Sequence, residues 1–364
     1  MLEQVADAFK RKDYQTAAQL LKQLVKQEPK NPWVHLYVGR LHEATDKLDA
    51  AETVYRQLLR GTTNLKIVAQ ARQGLQRLED IVQQRRRQAI AEATAEPGNA
   101  ELGVLVLESV SPELKQVAAQ KFAPIMQLDP YTARLQLPSR GWRLYRSGPV
   151  GELRFYTNQL QQAEIPSFYA SVADIEKINV FNVNYFDSDA LQVTAVCENE
   201  DNLLGSLNFD WSEVSSRVEG QLPLFEEVID FDAHYKIHHK TKTLDYVEFC
   251  DLHLPARRSI LRLCDRNYQF QQGITLSQKQ KDAQPLSQTT TKNSWNNLVN
   301  FLNQQLPQIP IWSDFTTFAE TALDQTELLK RIKSHINLFR RKDTLWDPAF
   351  QLYSGLVFMR KARS

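Results

Sequence analysis

The stretch that decides the fold reads DYQTAAQLLKQLVKQEPKNPWVHLYVGRLHEATDKLDAAETVYRQL, residues 13–58. It contains an internal repeat with an offset of 34 residues, in which small and large apolar positions recur. The matched pairs are Ala17 with Ala51, Leu21 with Tyr55, and Leu24 with Leu58. A repeat of this length is typical of stacked helix–turn–helix units, because one such unit cannot bury its apolar face alone. The sequence therefore predicts a helical array in the first part of the chain.

This stretch resembles the tetratricopeptide repeat (TPR) family, whose unit is a helix–turn–helix. The second copy carries the resemblance best. Gly39 stands at the small-residue position where the helices approach closely, and Ala51 stands where the second helix presses on the first. Pro29 stands where the family's proline closes a repeat and stops the helix. The chain departs from the family at His35 and His42, which occupy its tryptophan and tyrosine positions.

Two repeats are fewer than the roughly three that a stable array needs, so a further helix must cap them. Residues 64–94 fit this role, with Asn64 as the N-cap and apolar residues at helical spacing behind it. In the TPR family, the first helix of each repeat lines a groove that takes a segment of another protein. Carried over, the resemblance implies these partner-binding residues: Phe9, Lys10, Trp33, Leu36, Arg40 and Glu43. The capping helix would add Ile67, Gln70 and Arg77.

Two interpretations of the groove aromatics stay open. In the first, Phe9 and Trp33 anchor a partner, while Lys10 and Arg40 orient an acidic group or a C-terminal carboxylate. In the second, Phe9 and Trp33 are packing residues that face the next domain. Truncation of Trp33 separates the two, because an anchor affects binding and a packing residue affects stability.

The composition argues against several classes of protein. The formal net charge of 364 residues is +1, which gives no global attraction to nucleic acid or to an anionic membrane. Cys197, Cys250 and Cys264 are odd in number and widely spaced, which favours a reducing compartment over a disulfide framework. The first residues do not have the pattern of a signal peptide, and no apolar run is long enough to span a membrane. We therefore expect a cytoplasmic protein without a transmembrane segment or a nucleic-acid partner.

Changes of pattern along the chain predict an α+β protein with several domains. Pro97 and Gly98 break the helical pattern and mark a linker. The predicted regions are a TPR-like helical arm at 1–94, a ferredoxin-like α+β domain at 102–186, a β-rich domain with a closing helix at 187–305, and a helical, aromatic-rich segment at 306–364.

The order β-α-β-β-α-β predicts the ferredoxin-like sandwich in residues 102–186. Leu102–Val110 is an apolar run typical of a buried strand, and Tyr131–Leu137 and Ile178–Tyr185 alternate like strands. The β-rich region is a meander followed by one helix, an order that resembles a pleckstrin-homology-like barrel. Residues 273–293 are rich in Gln, Ser, Thr and Lys, which predicts a flexible loop.

One group of residues has the types that bind zinc. His234 and His238 share a face of a predicted strand, and Cys250 and His253 lie across a predicted hairpin. Their spacing matches no known zinc motif, and a buried cysteine with solvated histidines is the simpler interpretation. We expect no metal and no cofactor. Patterns such as GxSxG, HExxH and the P-loop are absent from the sequence, so no catalytic residue is predicted.

Two functions of different classes follow. The first is a non-enzymatic adaptor or assembly factor that binds another protein, such as a subunit of a larger complex, through the TPR-like groove. The second is a regulatory enzyme or small-ligand sensor with its site in the α+β body. A deep pocket of converging polar groups in residues 102–270 would favour the second. The Gln-rich, Gly-poor style also resembles cyanobacterial TPR proteins, some of which assist photosynthetic complexes.

Overall fold

The chain divides into two compact units in the computed structural model. Unit 1 is Met1–Glu92 and unit 2 is Ala93–Ser364. The structure describes residues 1–189, 192–231, 237–274, 290–338 and 344–362. It combines N-terminal helical repeats with β-sheet, which confirms the α+β class at this level.

Unit 1 is built from helices. Their bounds are α1 (Leu2–Lys10), α2 (Tyr14–Gln27), α3 (Pro32–Ala44), α4 (Leu48–Gly61) and α5 (Leu65–Ala95). The side-chain oxygens of Asp13, Asn31 and Asn64 cap α2, α3 and α5 by accepting backbone N–H groups at 3.0, 2.9 and 3.0 Å. Each cap satisfies a donor that a helix leaves without a partner at its first turn, and typically stabilises by about 1 kcal/mol.

The Tyr55 ring is at the centre of the packing in unit 1. It is fully buried on α4 and lies between two glycines. A Cβ atom on Gly39 of α3 would lie 2.6 Å from the ring, and a Cβ atom on Gly74 of α5 would lie 2.5 Å from it. Both distances are shorter than any ordinary contact, so only glycine lets α3 and α5 approach α4 this closely. The predicted roles of Gly39 and of the buried Ala51 are thus confirmed.

Unit 2 contains two sheets and several helices. Its strands are β1 (Leu102–Leu107), β2 (Arg143–Pro149), β3 (Ser167–Ser171), β4 (Asn179–Asp189), β5 (Gln192–Glu198), β6 (Leu204–Phe209), β7 (Ser216–Phe231), β8 (Ile237–Leu254), β9 (Ser259–Cys264) and β10 (Ile311–Trp312). Its helices are α6 (Lys115–Met126), α7 (Pro130–Gln136), α8 (Val150–Gln162), α9 (Val172–Glu176), α10 (Thr291–Gln305), α11 (Phe315–Ala322), α12 (Thr326–Leu329) and α13 (Trp346–Ala362).

The small sheet has the order β2-β1-β3 and is antiparallel. The large sheet has the order β10-β7-β8-β9-β4-β5-β6, and its β4–β9 and β10–β7 pairs are parallel. One apolar core joins side chains from distant parts of the chain, among them Val106, Val247, Phe318 and Tyr353. The regions 102–186, 187–305 and 306–364 thus share a core, and their boundaries as separate domains stay a prediction.

The strand predicted over Tyr131–Leu137 is wrong, because this stretch lies in α7. The Asp129 side chain accepts the N–H groups of residues 131 and 132 at 3.0 Å each, and Pro130 occupies the first turn. This cap starts a helix, although the alternation of apolar residues predicts a strand. Only Ala133 and Leu137 are buried in this stretch, whereas Tyr131 is 73% exposed.

The ferredoxin-like sandwich is therefore not formed. The strand predicted at Ile178–Tyr185 exists as β4, but it pairs with β5 and β9 in the large sheet. The meander also differs from the pleckstrin-homology-like barrel. Among the described residues its sheet does not close between β10 and β6, and it draws strands from all three predicted regions. Residues 275–289 of the predicted flexible loop lie outside the described residues.

A buried ion pair joins the large sheet to α13. Arg262 on β9 and Asp251 on β8 face each other across the strands, and both side chains have no exposed surface. The Arg262 guanidinium donates to the two carboxylate oxygens of Asp251 at 2.9 and 2.7 Å. It also donates to the Ser334 carbonyl at 2.8 Å and to the Gln351 side chain at 2.9 Å. These hydrogen bonds are needed because a buried charge without a partner destabilises the folded state by several kcal/mol.

The same carboxylate continues into a chain of neutral polar groups. The Ser354 hydroxyl on α13 donates to Asp251 at 2.6 Å and lies 3.0 Å from Nε2 of His253. Because that hydroxyl proton is used, Nε2 must be the donor to Ser354, and Nδ1 then accepts the Ser216 hydroxyl at 3.0 Å. Nδ1 is an acceptor because burial lowers the pKa of His253 to about 4, which leaves the ring neutral at pH 7.

The glycine contacts of Tyr55 give a direct test of the packing in unit 1. We expect Gly74→Ala to destabilise unit 1 by about 1–2 kcal/mol. Overpacking against the ring costs roughly 1–3 kcal/mol. Replacing a helical glycine with alanine offsets less than about 1 kcal/mol of this cost, because alanine loses less backbone freedom on folding. Gly61→Ala is the matched control at the end of α4, where an added Cβ meets nothing within 4 Å. Urea unfolding of both variants checks this. Equal stability of the two variants would contradict the tight packing of Tyr55.

Candidate functional site

A cleft of about 290 Å³ in unit 1 collects residues from three helices. It is lined by Phe9 of α1, by Arg40, Glu43 and Ala44 of α3, and by Arg77 of α5. Three of the predicted partner-binding residues therefore meet in one place, together with a fourth residue that was expected from the capping helix. The cleft combines an aromatic ring with two guanidinium groups and one carboxylate, so it suits a ligand with both apolar and charged parts.

The Glu43 carboxylate is fixed on both sides. Arg77 donates to its two oxygens at 2.6 and 2.8 Å, and the buried Tyr55 hydroxyl donates to it at 2.7 Å. Burial raises the pKa of Glu43, but the hydrogen bonds from Arg77 and Tyr55 outweigh it, so the pKa lies below its usual value of 4.5. Hydrogen bonding to Glu43 also raises the pKa of Arg77. Glu43 is thus an internal partner that holds the Arg77 guanidinium in place at the cleft.

Arg40 is placed differently from Arg77. Its guanidinium lies 5.5 Å from the ring centre of Tyr37 and donates to the neutral Gln70 side chain at 3.3 Å. No ion pair joins it to a carboxylate in the part of the chain that the structure describes. The Tyr37 ring in turn lies 5.6 Å from the ring of Phe9. The sequence interpretation missed Tyr37, although its spacing of three residues from Arg40 on one helix could have revealed it.

The other three predicted residues do not line this cleft. Leu36 is 1% exposed and packs with Ala51 and Tyr55 in the core of unit 1, so its predicted role as a direct partner contact is wrong. The reason is geometric: Leu36 lies three residues before Gly39, on the helix face that meets α4. Trp33 is half-buried against the same core. Lys10 is exposed and lies 3.6 Å from the Asp7 carboxylate.

The weak zinc candidates are separated by the fold. His234 and the side chain of His238 lie outside the described residues. Cys250 packs in the core beside α10. His253 lies on the opposite face of β8, where its two ring nitrogens are hydrogen-bonded to the hydroxyls of Ser216 and Ser354. Within the described part of the chain, no three His, Cys, Asp or Glu side chains are grouped to hold a metal ion.

Ser216, His253 and Asp251 have the residue types of a hydrolase triad, but their geometry is different. All three are fully buried, and the Ser354 hydroxyl stands between the imidazole and the carboxylate. A nucleophile must reach substrate, and Ser216 has no exposed surface. This group therefore serves the packing of β7, β8 and α13.

A second cleft, of about 420 Å³, opens on unit 2. Its polar lining includes Gln136, Tyr145, Arg146, Ser147 and Gln325. Three of these groups, Arg146, Ser147 and Gln325, already have hydrogen-bond partners. Arg146 donates to the Glu152 carboxylate at 3.0 Å, and the Ser147 hydroxyl donates to Gln325 at 2.8 Å. Polar groups already paired in this way offer less to a ligand than the guanidinium of Arg40 does.

Comparison with known proteins supports the N-terminal resemblance. A family model described as tetratricopeptide repeat matches residues 8–72. The chain contains TPR units. The match ends before β1, so it concerns unit 1 alone. No curated protein and no solved structure matches the chain significantly. None of the described helices is long and apolar enough to cross a membrane.

The lowered pKa of Glu43 predicts a pH-dependent contribution to the stability of unit 1. Because the folded-state pKa lies below the unfolded value near 4.5, the contribution is complete above that value and is lost as the pH falls through the folded-state pKa. We expect Glu43→Gln to lower the free energy of unfolding by about 1–3 kcal/mol at pH 7, since a charge-assisted pair is weakened.

Urea unfolding at several pH values measures this difference between the wild type and Glu43→Gln. The difference should be constant from pH 7 to about pH 5 and should shrink at lower pH. Glu3→Gln, a change at an exposed residue of α1, serves as the control and should follow the wild type. A difference that grows as the pH falls would contradict the ion pair.

Proposed function

We propose that the chain is a non-enzymatic adaptor or assembly factor whose cleft in unit 1 binds an acidic segment of another protein. The observation that carries this is the Arg40 guanidinium, which stands in the cleft beside Phe9. Its charge helps to lower the pKa of Glu43, but in the described residues it forms no direct ion pair with a carboxylate. TPR units commonly bind protein segments, and the match over residues 8–72 supports that class. The three cysteines are free and buried, which supports a reducing, cytoplasmic setting.

The two kinds of cleft residue have different tasks. Burying an aromatic side chain contributes about 1.5–3 kcal/mol, whereas an exposed ion pair contributes about 0.2–1 kcal/mol. Phe9 with the neighbouring Tyr37 would therefore supply most of the affinity for an apolar side chain of the partner. Arg40 would select the carboxylate beside it, and Arg77 is held for the same purpose by Glu43. The pair of Arg77 with Glu43 leaves Arg40 as the stronger determinant of charge preference.

The small-ligand sensor is the second candidate, and the polar cleft of unit 2 is the observation that favours it. The mutual pairing of Arg146 with Glu152 and of Ser147 with Gln325 makes this the weaker proposal. A cyanobacterial assembly role for photosynthetic complexes is supported by the Gln-rich, Gly-poor composition alone, which does not identify a partner.

A pair of synthetic peptides tests the adaptor proposal. One carries a single leucine flanked by glutamates, and the other replaces every glutamate with glutamine. We expect the wild-type chain to bind the glutamate peptide about five- to tenfold more tightly in fluorescence anisotropy, from one or two carboxylate contacts. Arg40→Ala should remove this preference and change the melting temperature little, because Arg40 makes one long hydrogen bond and one cation–π contact with Tyr37 in the free protein, the latter contributing about 0.5–1 kcal/mol at an exposed site.

Arg72→Ala is the matched control, since Arg72 is an exposed arginine of α5 that does not line the cleft. It removes the same charge from the same unit and should keep the preference. A wild-type chain that binds both peptides equally, or an Arg40→Ala variant that still prefers the glutamate peptide, would overturn the proposal.

A further inference from the structure

The large sheet of unit 2 ends in a strand with one open side. β6 pairs with β5 in the register Val193 with Phe209 to Glu198 with Leu204. Among the described residues, no strand pairs with its other side. Such an edge presents backbone N–H and C=O groups that can pair with another strand.

The register shows which backbone groups face outward. The N–H of Asn199 donates to the C=O of Leu203 at 3.1 Å, which makes these two residues a hydrogen-bonded pair at the start of the hairpin. Bonded and non-bonded pairs alternate along an antiparallel ladder. Leu204, Ser206 and Asn208 therefore direct their N–H and C=O groups away from β5. All three residues are exposed.

This edge lacks the usual protection against pairing. Natural edge strands are blunted by lysines, prolines, bulges or inward-pointing charges. The sequence of β6 is LGSLNF, which contains neither a charge nor a proline, and its register with β5 is regular. At its start, Leu203 and Leu204 are 64% and 67% exposed. An uncharged edge with two exposed leucines at its start can take a partner strand.

The helix-facing side of the edge has room for a side chain. Gly205, Leu207 and Phe209 alternate toward this side, and Phe209 is buried there. A Cβ atom on Gly205 would meet nothing within 4 Å, so the space beside it is open. Trp211 follows the strand and packs on Phe301 of α10 with a distance of 5.8 Å between ring centres. Both rings are half-exposed, and they lie beyond the Phe209 end of β6, at the end of the strand away from Gly205.

The charges around the edge define the partner further. Every charged residue between 198 and 213 is acidic. Two of these carboxylates are neutralised, because Glu200 pairs with Lys333 and Glu213 pairs with Arg257. Glu198 is half-buried and accepts a hydrogen bond from Asn184 at 3.1 Å. Asp201 and Asp210 remain exposed near the two ends of β6 without an ion pair in the described residues, although Asp210 also accepts the N–H of Ser212 at 2.8 Å as a helix cap. An antiparallel pair of two copies would bring the Asp201 end of one strand to the Asp210 end of the other, which is unfavourable.

We propose that β6 binds an extended segment of another protein by strand addition. The segment carries lysine or arginine near both ends, facing Asp201 and Asp210, and a large apolar side chain that fills the space beside Gly205. The backbone pairs with Leu204, Ser206 and Asn208 supply affinity, while the apolar side chain and the flanking cations supply specificity. This surface lies in unit 2 and is independent of the cleft of unit 1, so the chain has two different sites for protein segments.

A peptide probe and one proline test this proposal. The probe has the sequence Lys-Thr-Val-Thr-Phe-Thr-Val-Lys, and its counterpart has glutamate in place of both lysines. In fluorescence anisotropy, the full chain should bind the lysine probe at least tenfold more tightly than the glutamate probe. Ser206→Pro removes the central outward N–H and keeps the pairing with β5, because proline is tolerated at an edge where the N–H faces solvent. It should weaken binding at least tenfold, while Ser206→Ala, which keeps the N–H, should stay within twofold.

Circular dichroism melts show whether Ser206→Pro remains folded, and Leu204→Lys serves as a second variant, which places a repelling cation on the edge. Leu204→Lys should also weaken binding of the lysine probe at least tenfold. A wild-type chain that fails to bind the lysine probe, or binding unchanged in both variants, would overturn the proposal. A wild-type dimer in sedimentation velocity that Ser206→Pro converts to monomer would also overturn it, because the occupant would then be a second copy of the chain.

Discussion

The contact between the Tyr55 ring and two glycines is the constraint on which unit 1 depends. Because Gly39 and Gly74 have no Cβ atoms, α3 and α5 both close on the ring of α4. The buried hydroxyl of the same residue donates to Glu43, and Glu43 in turn fixes Arg77. One buried side chain therefore sets both the spacing of the helices and the position of a charged group in the cleft. The candidate site is therefore built directly on the core of unit 1.

Unit 2 uses buried polar contacts for a different purpose. Arg262 and Asp251 are bonded to each other and to groups on α13 and before it, and Ser354 and His253 extend the network to Ser216 on β7. These groups are buried and hydrogen-bonded to one another, so they fix the position of α13 on the sheet. They offer no accessible polar group to a ligand. In unit 1, by contrast, Arg40 keeps a guanidinium in an open cleft. This difference is the physical reason to seek partner binding at the cleft and at the open sheet edge.

The sequence predicted what depends on local spacing. The positions of Gly39, Ala51 and Tyr55 along a 34-residue repeat were sufficient to predict the helical array, because the contacts of each repeat involve its neighbours in sequence. It also predicted that Phe9, Arg40 and Glu43 belong together, since they fall on the helices that line the groove in the TPR family. Leu36 was misplaced because its spacing from Gly39, which puts it on the buried face, was not applied.

The errors in unit 2 have a different origin. Tyr131–Leu137 alternates like a strand, but the capping oxygen of Asp129 and the fixed backbone of Pro130 decide for a helix, and both signals were visible in the sequence. The parallel pairing of β4 with β9 was not visible, because it joins residues 179–182 to residues 259–262 across a long separation. The partners of Arg262 were hidden for the same reason, since Gln351 lies far along the chain. Contacts between residues so far apart produce no periodic pattern in the sequence.

Binding of an acidic protein segment to the cleft of unit 1 can be measured from the backbone NMR chemical shifts of the full chain on titration with the glutamate peptide. We expect the largest changes at Phe9, Arg40 and Ala44, and we expect them to saturate with one affinity. Largest changes within residues 93–364, with those three signals unmoved, would contradict this expectation.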